Sequence, residues 1–442
     1  LRGSGASSGH GEERATGPAP HRTLTSAAVR RVAERCFSPA ERVAPGEQIG
    51  LELEWHTSAA GRPGERLDLD ALRAAATGPG PLPAKGTLSF EPGGQLELNT
   101  APLVGLDEVC AAAHADATEL SRRLERVGVG LVPIGLDAGR PPHRVLHTGR
   151  YDAMEAAFDA KGPHGRRMMC NTAALQVNVD LGPGDPAVRW RRAHALGPTL
   201  IALFANSPFG AEAGVGRPSG WVANRLATWW GIDPSRTAAP ALGPAPAESW
   251  ARYALAANVL LIRGASNDEA TPLRTSFSFD RWMHEGHEQG WPTEDDLGYH
   301  LTTLFPPVRP RGWLELRMLD ALDADTWPVA VAVLVALLLD PGAGEAADEA
   351  TRSTAHHWSE AAERGLRDPD LARSADRCMA AAVSALPRLG ASTGACDAVA
   401  DHAERYVARR RCPADDRLDE WYRTGRLLPA GTPCDREPAW AR

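Results

Sequence analysis

Lysine is almost missing from this chain of 442 residues. Of 48 basic residues two, Lys85 and Lys161, are lysine, and the other 46 are arginine. With abundant alanine, glycine and proline, this bias points to a GC-rich coding genome. It also constrains chemistry: phosphate must be held by arginine, by backbone N–H groups or by a metal ion. No Gly-x-x-x-x-Gly-Lys-Ser/Thr loop, dinucleotide fingerprint or Gly-x-Ser-x-Gly elbow occurs. The seven cysteines are an odd count without a Cys-x-x-Cys pair, which argues against a disulfide framework or a zinc ribbon. His56, His143, His147, His164, His284, His287 and the His356-His357 pair show no zinc spacing and read as surface or packing residues. A net charge of −8 offers no basic face to nucleic acid. No basic-then-apolar leader opens the sequence, and the longest aliphatic run, Val329 to Leu339, falls far short of the roughly 20 residues a membrane span needs. A soluble cytoplasmic protein, without nucleic-acid or membrane partners, is the expectation.

What is present is a repeated alternation. Glu52 and Glu54 in IGLELEW, Gln95, Glu97 and Asn99 in GGQLELNT, Gln176, Asn178 and Asp180 in LQVNVDL, and Glu315 and Arg317 in WLELRM stand at every second position. Successive strand residues point to opposite faces, so each segment carries Leu or Val on one side and carboxylates, amides or arginine on the other. Solvated strands alternate too, but glutamate is disfavoured in strands and recurs here. Carboxylates crowded on one face repel unless a cation lies between them, and an all-oxygen set suits magnesium. The four strands therefore read as the floor of a metal-dependent site. In SFEPGGQLELN the Pro92-Gly93-Gly94 turn returns the chain from Glu91 to Glu97 on a related face. Arg317, beside Glu315, reads either as a local ion pair or as a clamp on a phosphoryl group, for which its planar fork is suited. The Trp229-Trp230 pair reads as core.

Along the chain, residues 1–22 are expected to be disordered. A single catalytic domain is expected over 23–430, with a sheet-containing core at about 45–325 and a helical part at about 326–410. Thr25 or Ser26 caps a first helix to about Cys36. Strands are expected near 48–57, 87–100, 130–136, 173–181, 258–263 and 312–319. Helices are expected at LDLDALRAAAT, at 107–127, at 186–206 and at 294–304, with loop and short helix over 137–167, a loop at 207–220 and a loop or linker at 234–246. Strands scattered between helices indicate α+β.

Six segments in order resemble the plant and proteobacterial glutamate–cysteine ligases, and most closely those of actinobacterial ergothioneine biosynthesis. They are GLELEW, LSFEPGGQLELNTAP, MMCNTAALQVNVD, LFANSPFG, the Gly-Arg-Pro-Ser-Gly-Trp…Asn-Arg stretch and HLTTLFPPVRPRGWLELRMLDA. Together they cover roughly 45–340. The resemblance implies a glutamine-synthetase-like core, a curved and mainly antiparallel sheet lined by metal-binding glutamates and backed by helices. It implies ATP-dependent joining of the γ-carboxyl of glutamate to the amine of cysteine, through a γ-glutamyl phosphate, with Mg2+ as cofactor and glutamate, cysteine and ATP as its small-molecule substrates. By position it implies Glu52, Glu54, Glu91, Glu97 and Glu315 as the metal shell, and Gln176, Asn178 and Arg225 as substrate contacts. Arg317, with Glu315, is implied at the reacting phosphoryl group. Leu51 and Leu53 depart from the family pattern near the first strand, as does Asn-Thr-Ala-Ala after Cys170. The alternatives are a related carboxylate–amine ligase with another substrate, or a ligand-binding relative without catalysis.

Overall fold

The structure is a computed structural model, and residues 24–39, 46–62, 64–210, 216–264 and 269–427 are described. The segment expected to be disordered, 1–22, lies outside the described residues.

Among the described residues twelve strands run in chain order as β1 Gln48–Ala59, β2 Thr87–Phe90, β3 Leu96–Asn99, β4 Leu103–Val104, β5 Val129–Val132, β6 Ala174–Asp180, β7 Phe209–Gly210, β8 Arg217–Pro218, β9 Leu261–Arg263, β10 Ala270–Pro272, β11 Val308–Pro310 and β12 Trp313–Asp320. Eight of them form one sheet in the order β11-β12-β6-β1-β3-β2, with β4 and β5 also paired to β1. Every pairing is antiparallel. This is the α+β architecture expected, with Pro310 confined to the edge strand, where its missing N–H costs no ladder bond.

The register aligns the alternating segments. Glu54 faces Glu97, Glu52 faces Asn99 on one side and Gln176 on the other, and Asn178 faces Glu315. The opposite face holds Leu51, Leu53, Leu98, Leu175, Val177 and Leu316, none more than 3% exposed. Each such side chain contributes about 1.5–3 kcal/mol by leaving water. A slip of one residue would exchange the two faces, so the same burial that stabilises the sheet holds the carboxylates out of the core.

The helices include α1 Ser26–Cys36, α2 Leu69–Thr77, α3 Leu106–Glu125, α4 Gly149–Asp159, α5 His164–Asn171, α6 Pro186–Phe204 and α7 Asn224–Trp230. Residues of α2, α3, α6 and the helices after Trp327 share one core with the apolar face, whereas α4 and α5 form a separate cluster with Ile232, Leu260 and Leu261. Their starts follow local chemistry. Thr25 accepts from the Ala28 N–H, Asp68 from Ala71, and Asp185 from Ala187 with Pro186 in the first turn of α6. The aliphatic run lies within the helix Trp327–Leu339, buried from Trp327 to Leu338 in the centre of the core. Among the described residues no single helix is long and apolar enough to cross a membrane. The strand expected at 130–136 is shorter than the pattern suggested, because the chain leaves the β1 edge after Val132. The helical part runs on to Thr424.

Candidate active site

The polar face of β1, β2, β3, β6 and β12 is one continuous array. Glu54 accepts from the Gln176 amide at 2.9 Å and from the Ala174 N–H at 2.9 Å. Glu52 accepts from the Asn178 amide at 3.0 Å, whose oxygen accepts from the Trp313 indole at 2.9 Å. Glu97 accepts from Ser89 at 2.6 Å and from Asn99 at 2.7 Å. Glu91 follows β2 and stands on the same face, at the start of the Pro92-Gly93-Gly94 turn. Four half-buried carboxylates thus share one surface, each oriented by its neighbours or its turn.

Their electrostatics are unmet. Burial pushes the Glu54 carboxyl up to about 7, with Glu97 adding to the shift. Burial and then Glu54 and Glu97 raise Glu91 well above the carboxylate range. Glu52 is raised by burial and by Glu315. Burial first, then Glu91, also lifts the Tyr151 phenol to about 12, which places the α4 tyrosine beside this cluster. Carboxylates that are oriented yet short of positive charge are what a hard cation relieves, and every donor here is oxygen.

Glu315 sits on the same face in a different state. It is 1% exposed, and Arg309, Arg311 and Arg317 all reach it. Arg309 grips both oxygens, Arg311 donates at 3.1 Å and Arg317 lies 3.2 Å away. Burial alone would raise this carboxyl; Arg309, Arg317 and Arg311 outweigh it and hold it at about 2. Arg317 itself stands at a register shift of the β12–β6 pairing, between Leu316 and Leu319, while on the other side its N–H extends the β11–β12 pairing to the Pro307 carbonyl at 2.9 Å. Such a bulge re-aims a side chain, and here the guanidinium turns to the Gln176 amide oxygen and Glu315. Gln176 therefore links Glu54 to Arg317, a bridge with both ends of its amide used.

At Glu54 the array meets an open cleft enclosing about 530 Å3. Gln176, Arg225 and Arg317 form its polar side; Trp229, Trp230, Phe305 and Trp358 form much of the rest. The tryptophan pair is only half-buried and lines this cleft as well as packing on the core, which the expectation of core alone did not foresee. Trp358 reaches its place because Gly197 has no side chain; a Cβ there would come within 2.1 Å of the indole. Arg225 is 3% exposed, with Nε on Asp320 at 2.7 Å and Nη2 on the Leu319 carbonyl at 2.9 Å. Nη1 is the corner without a hydrogen bond to the described residues.

The sheet thus brings Glu52, Glu54, Glu91, Glu97, Gln176, Asn178, Glu315 and Arg317 together, and sets Arg225 at the cleft wall. Sequence reasoning overlooked Arg309 and Arg311, although their spacing of two in VRPRG is the same strand signal, interrupted by Pro310. It also overlooked Tyr151, whose stretch carries no pattern. Elsewhere, ligand atoms of His357, Asp368 and Asp370 lie within 4.8 Å of one another. Asp368 there caps a helix and Asp370 pairs with Arg373, so both carboxylates already have structural partners.

A family model described as glutamate–cysteine ligase family 2 matches residues 48–429. The glutamate–cysteine ligase EgtA of Mycolicibacterium smegmatis is 42% identical over 383 residues, covering 85% of this chain and 87% of that protein. The EgtA ligase of Mycobacterium tuberculosis is 39% identical over 408 residues, covering 90% of each. Among solved structures, a glutamate–cysteine ligase of Francisella tularensis in complex with AMP is similar in fold, with a TM-score of 0.54, 12% identity, and coverage of 86% of this chain and 85% of that one.

Proposed function

Because this chain belongs to glutamate–cysteine ligase family 2, we propose that it joins the γ-carboxyl of L-glutamate to the amine of L-cysteine with ATP as co-substrate, giving γ-glutamylcysteine, ADP and phosphate. It is an ATP-dependent carbon–nitrogen ligase, as the glutamate–cysteine ligases it is similar to are named, and its product serves ergothioneine biosynthesis, as the sequence resemblance implies. A cytoplasmic setting, where its three substrates are found, belongs to the same proposal.

The observation that carries the reading is the juxtaposition of four half-buried carboxylates, Glu52, Glu54 and Glu91 of them raised by burial, with an arginine cluster at the edge of a cleft. A carboxylate is a poor acyl donor and must first become an acyl phosphate. The γ-carboxylate oxygen attacks the γ-phosphorus and ADP leaves; the cysteine amine then attacks the acyl carbon and phosphate leaves. Two anions must meet in the first step. Glu52, Glu54, Glu91 and Glu97 would hold a magnesium ion, which would supply the positive charge that lets the two anions approach. Arg317, fixed by Gln176 and Glu315, faces the transferring phosphoryl group, where charge grows toward the transition state. Glu315, with both oxygens on arginines, acts on this reading first by holding those guanidiniums and serves the metal only as a shared ligand. Arg225 directs its remaining corner at a substrate carboxylate. The tryptophan-rich wall keeps water from the acyl phosphate, which would otherwise hydrolyse.

The test is direct. The purified chain with glutamate, cysteine, ATP and Mg2+ is expected to form γ-glutamylcysteine and phosphate in equal amounts. Phosphate release with another amine but not with cysteine would instead favour a ligase of different substrate. No release with any amine would favour a ligand-binding relative.

A further inference from the structure

Glu91 is the one carboxylate of the array that does not stand on a strand. It opens a turn between β2 and β3, closed by the Gly94 N–H on the Glu91 carbonyl at 2.9 Å. A turn is a poor platform for a group that must hold its place to a fraction of an ångström. The Glu91 N–H still meets the Gln95 carbonyl at 2.9 Å, a last rung in register with β2–β3, so the ladder reaches Glu91 but not the turn after it. Beyond that rung the contacts converge on Arg66, in the loop before α2. Its Nη1 donates to the Gly93 carbonyl at 2.9 Å and to the Cys170 carbonyl at 3.3 Å. Its Nη2 donates to the Asn171 side-chain oxygen at 2.8 Å and to the Pro141 carbonyl at 3.2 Å. Gln95, 2% exposed, clamps the turn from within: its oxygen takes the Gly93 N–H at 3.0 Å and its amide donates to the Thr172 carbonyl at 2.9 Å. Gly93 lies so close to the end of α5 that a Cβ would meet the Cys170 carbonyl oxygen at 2.2 Å.

These bonds tie the Glu91 turn to the junction of α5 and β6. Two residues beyond Thr172, Ala174 gives its N–H to Glu54. One guanidinium therefore joins the base that carries Glu91 to the base that orients Glu54. We infer that Arg66 is a positioning residue of the cation site, setting the distance between Glu91 and Glu54 through the turn and the α5–β6 junction. Arg66 itself bonds none of the carboxylates. The inference rests on the metal reading of the carboxylates and adds to it a residue remote from them.

Binding of Mn2+ to the full chain without substrates, read by the loss of its free-ion electron paramagnetic resonance signal, separates the two. Arg66→Met is expected to weaken Mn2+ binding by roughly 10–100-fold, the usual loss when a group orienting a metal ligand is removed. The metal concentration for half-maximal rate should rise by the same factor, while kcat at saturating metal stays within a few-fold of wild type. Arg66→Lys, which keeps the charge but not the fork, should fall between, and it covers the case in which Arg66→Met does not fold. Gln95→Leu should shift Mn2+ affinity in the same direction. Unchanged Mn2+ affinity in folded Arg66 variants, beside its loss in Glu97→Gln, would overturn this inference and leave the metal reading standing. Unchanged affinity in Glu97→Gln as well would overturn the metal reading itself.

Discussion

Glu91 and Glu315 are the same chemical group on the same face of one sheet, and the protein treats them oppositely. Three arginines surround Glu315 and hold its carboxyl at about 2, whereas Glu91 is pushed well above its ordinary value by burial first and then by the like charges of Glu54 and Glu97. The difference is what separates a group already satisfied by protein from one awaiting a ligand. Glu97→Gln should therefore lower turnover on the order of 100-fold while leaving the melting temperature near wild type, because the residue is half-buried and bears no core contact. Steady-state kinetics across a magnesium or manganese titration check this, with partial recovery at high metal expected. Arginine residues divide the same way. Arg317→Ala should depress kcat by roughly 10²–10³-fold with little change in KM if, as proposed, its donors act on charge that develops in the transition state. Arg225→Ala should do something else first. It leaves Asp320, 2% exposed, without its cation and is expected to cost about 3–5 kcal/mol of stability, visible as a lower denaturation midpoint before any kinetic effect is read.

At the scale of elements, β1 ties the account together, because it pairs with β3, β4, β5 and β6 and carries both Glu52 and Glu54. Its Glu54 has an ordinary carboxyl value near 4.5 when unfolded and about 7 when folded without metal. A raised acid favours the folded state while protonated in it, so that advantage is full below about 4.5 and is lost as pH rises through about 7. Metal-free protein should accordingly lose stability across that window, and Mg2+ should raise the melting temperature more at pH 8 than at pH 6. Calorimetry at the two pH values with and without Mg2+ checks it; equal metal-induced shifts would contradict it. Glu315 has the reverse sign: its stabilisation is present above about 4.5 and disappears as pH falls through about 2. The strands that carry these groups were legible because period-two alternation is a local property of the chain. Four of the alternating segments form β1, β3, β6 and β12 close to their expected limits. The helices α4 and α5 were not distinct within 137–167, where glycine, histidine and arginine obscure any apolar period. Nor did 246–256 announce its helix after a proline-rich loop. The site divides likewise. Carboxylates repeat in a pattern and could be read; Arg66 could not, since its partners are mostly carbonyls from distant segments, and a carbonyl leaves no mark in a sequence.

For the molecule as a whole, the sheet has one face sealed by helices and one face turned to a cleft, and the chemistry follows from that asymmetry. The sealed face supplies the stability; the open face concentrates negative charge that a cation and an arginine cluster must balance when ATP and an amino acid arrive. The order of bond making is where the central claim is tested. The claim is that the γ-carboxyl of glutamate is phosphorylated before the amine attacks. Hydroxylamine supplied in place of cysteine, with glutamate, ATP and Mg2+, should intercept the acyl phosphate and give γ-glutamyl hydroxamate, ADP and phosphate in equal amounts. AMP and pyrophosphate as the stoichiometric products would place activation at the α-phosphorus and contradict the account.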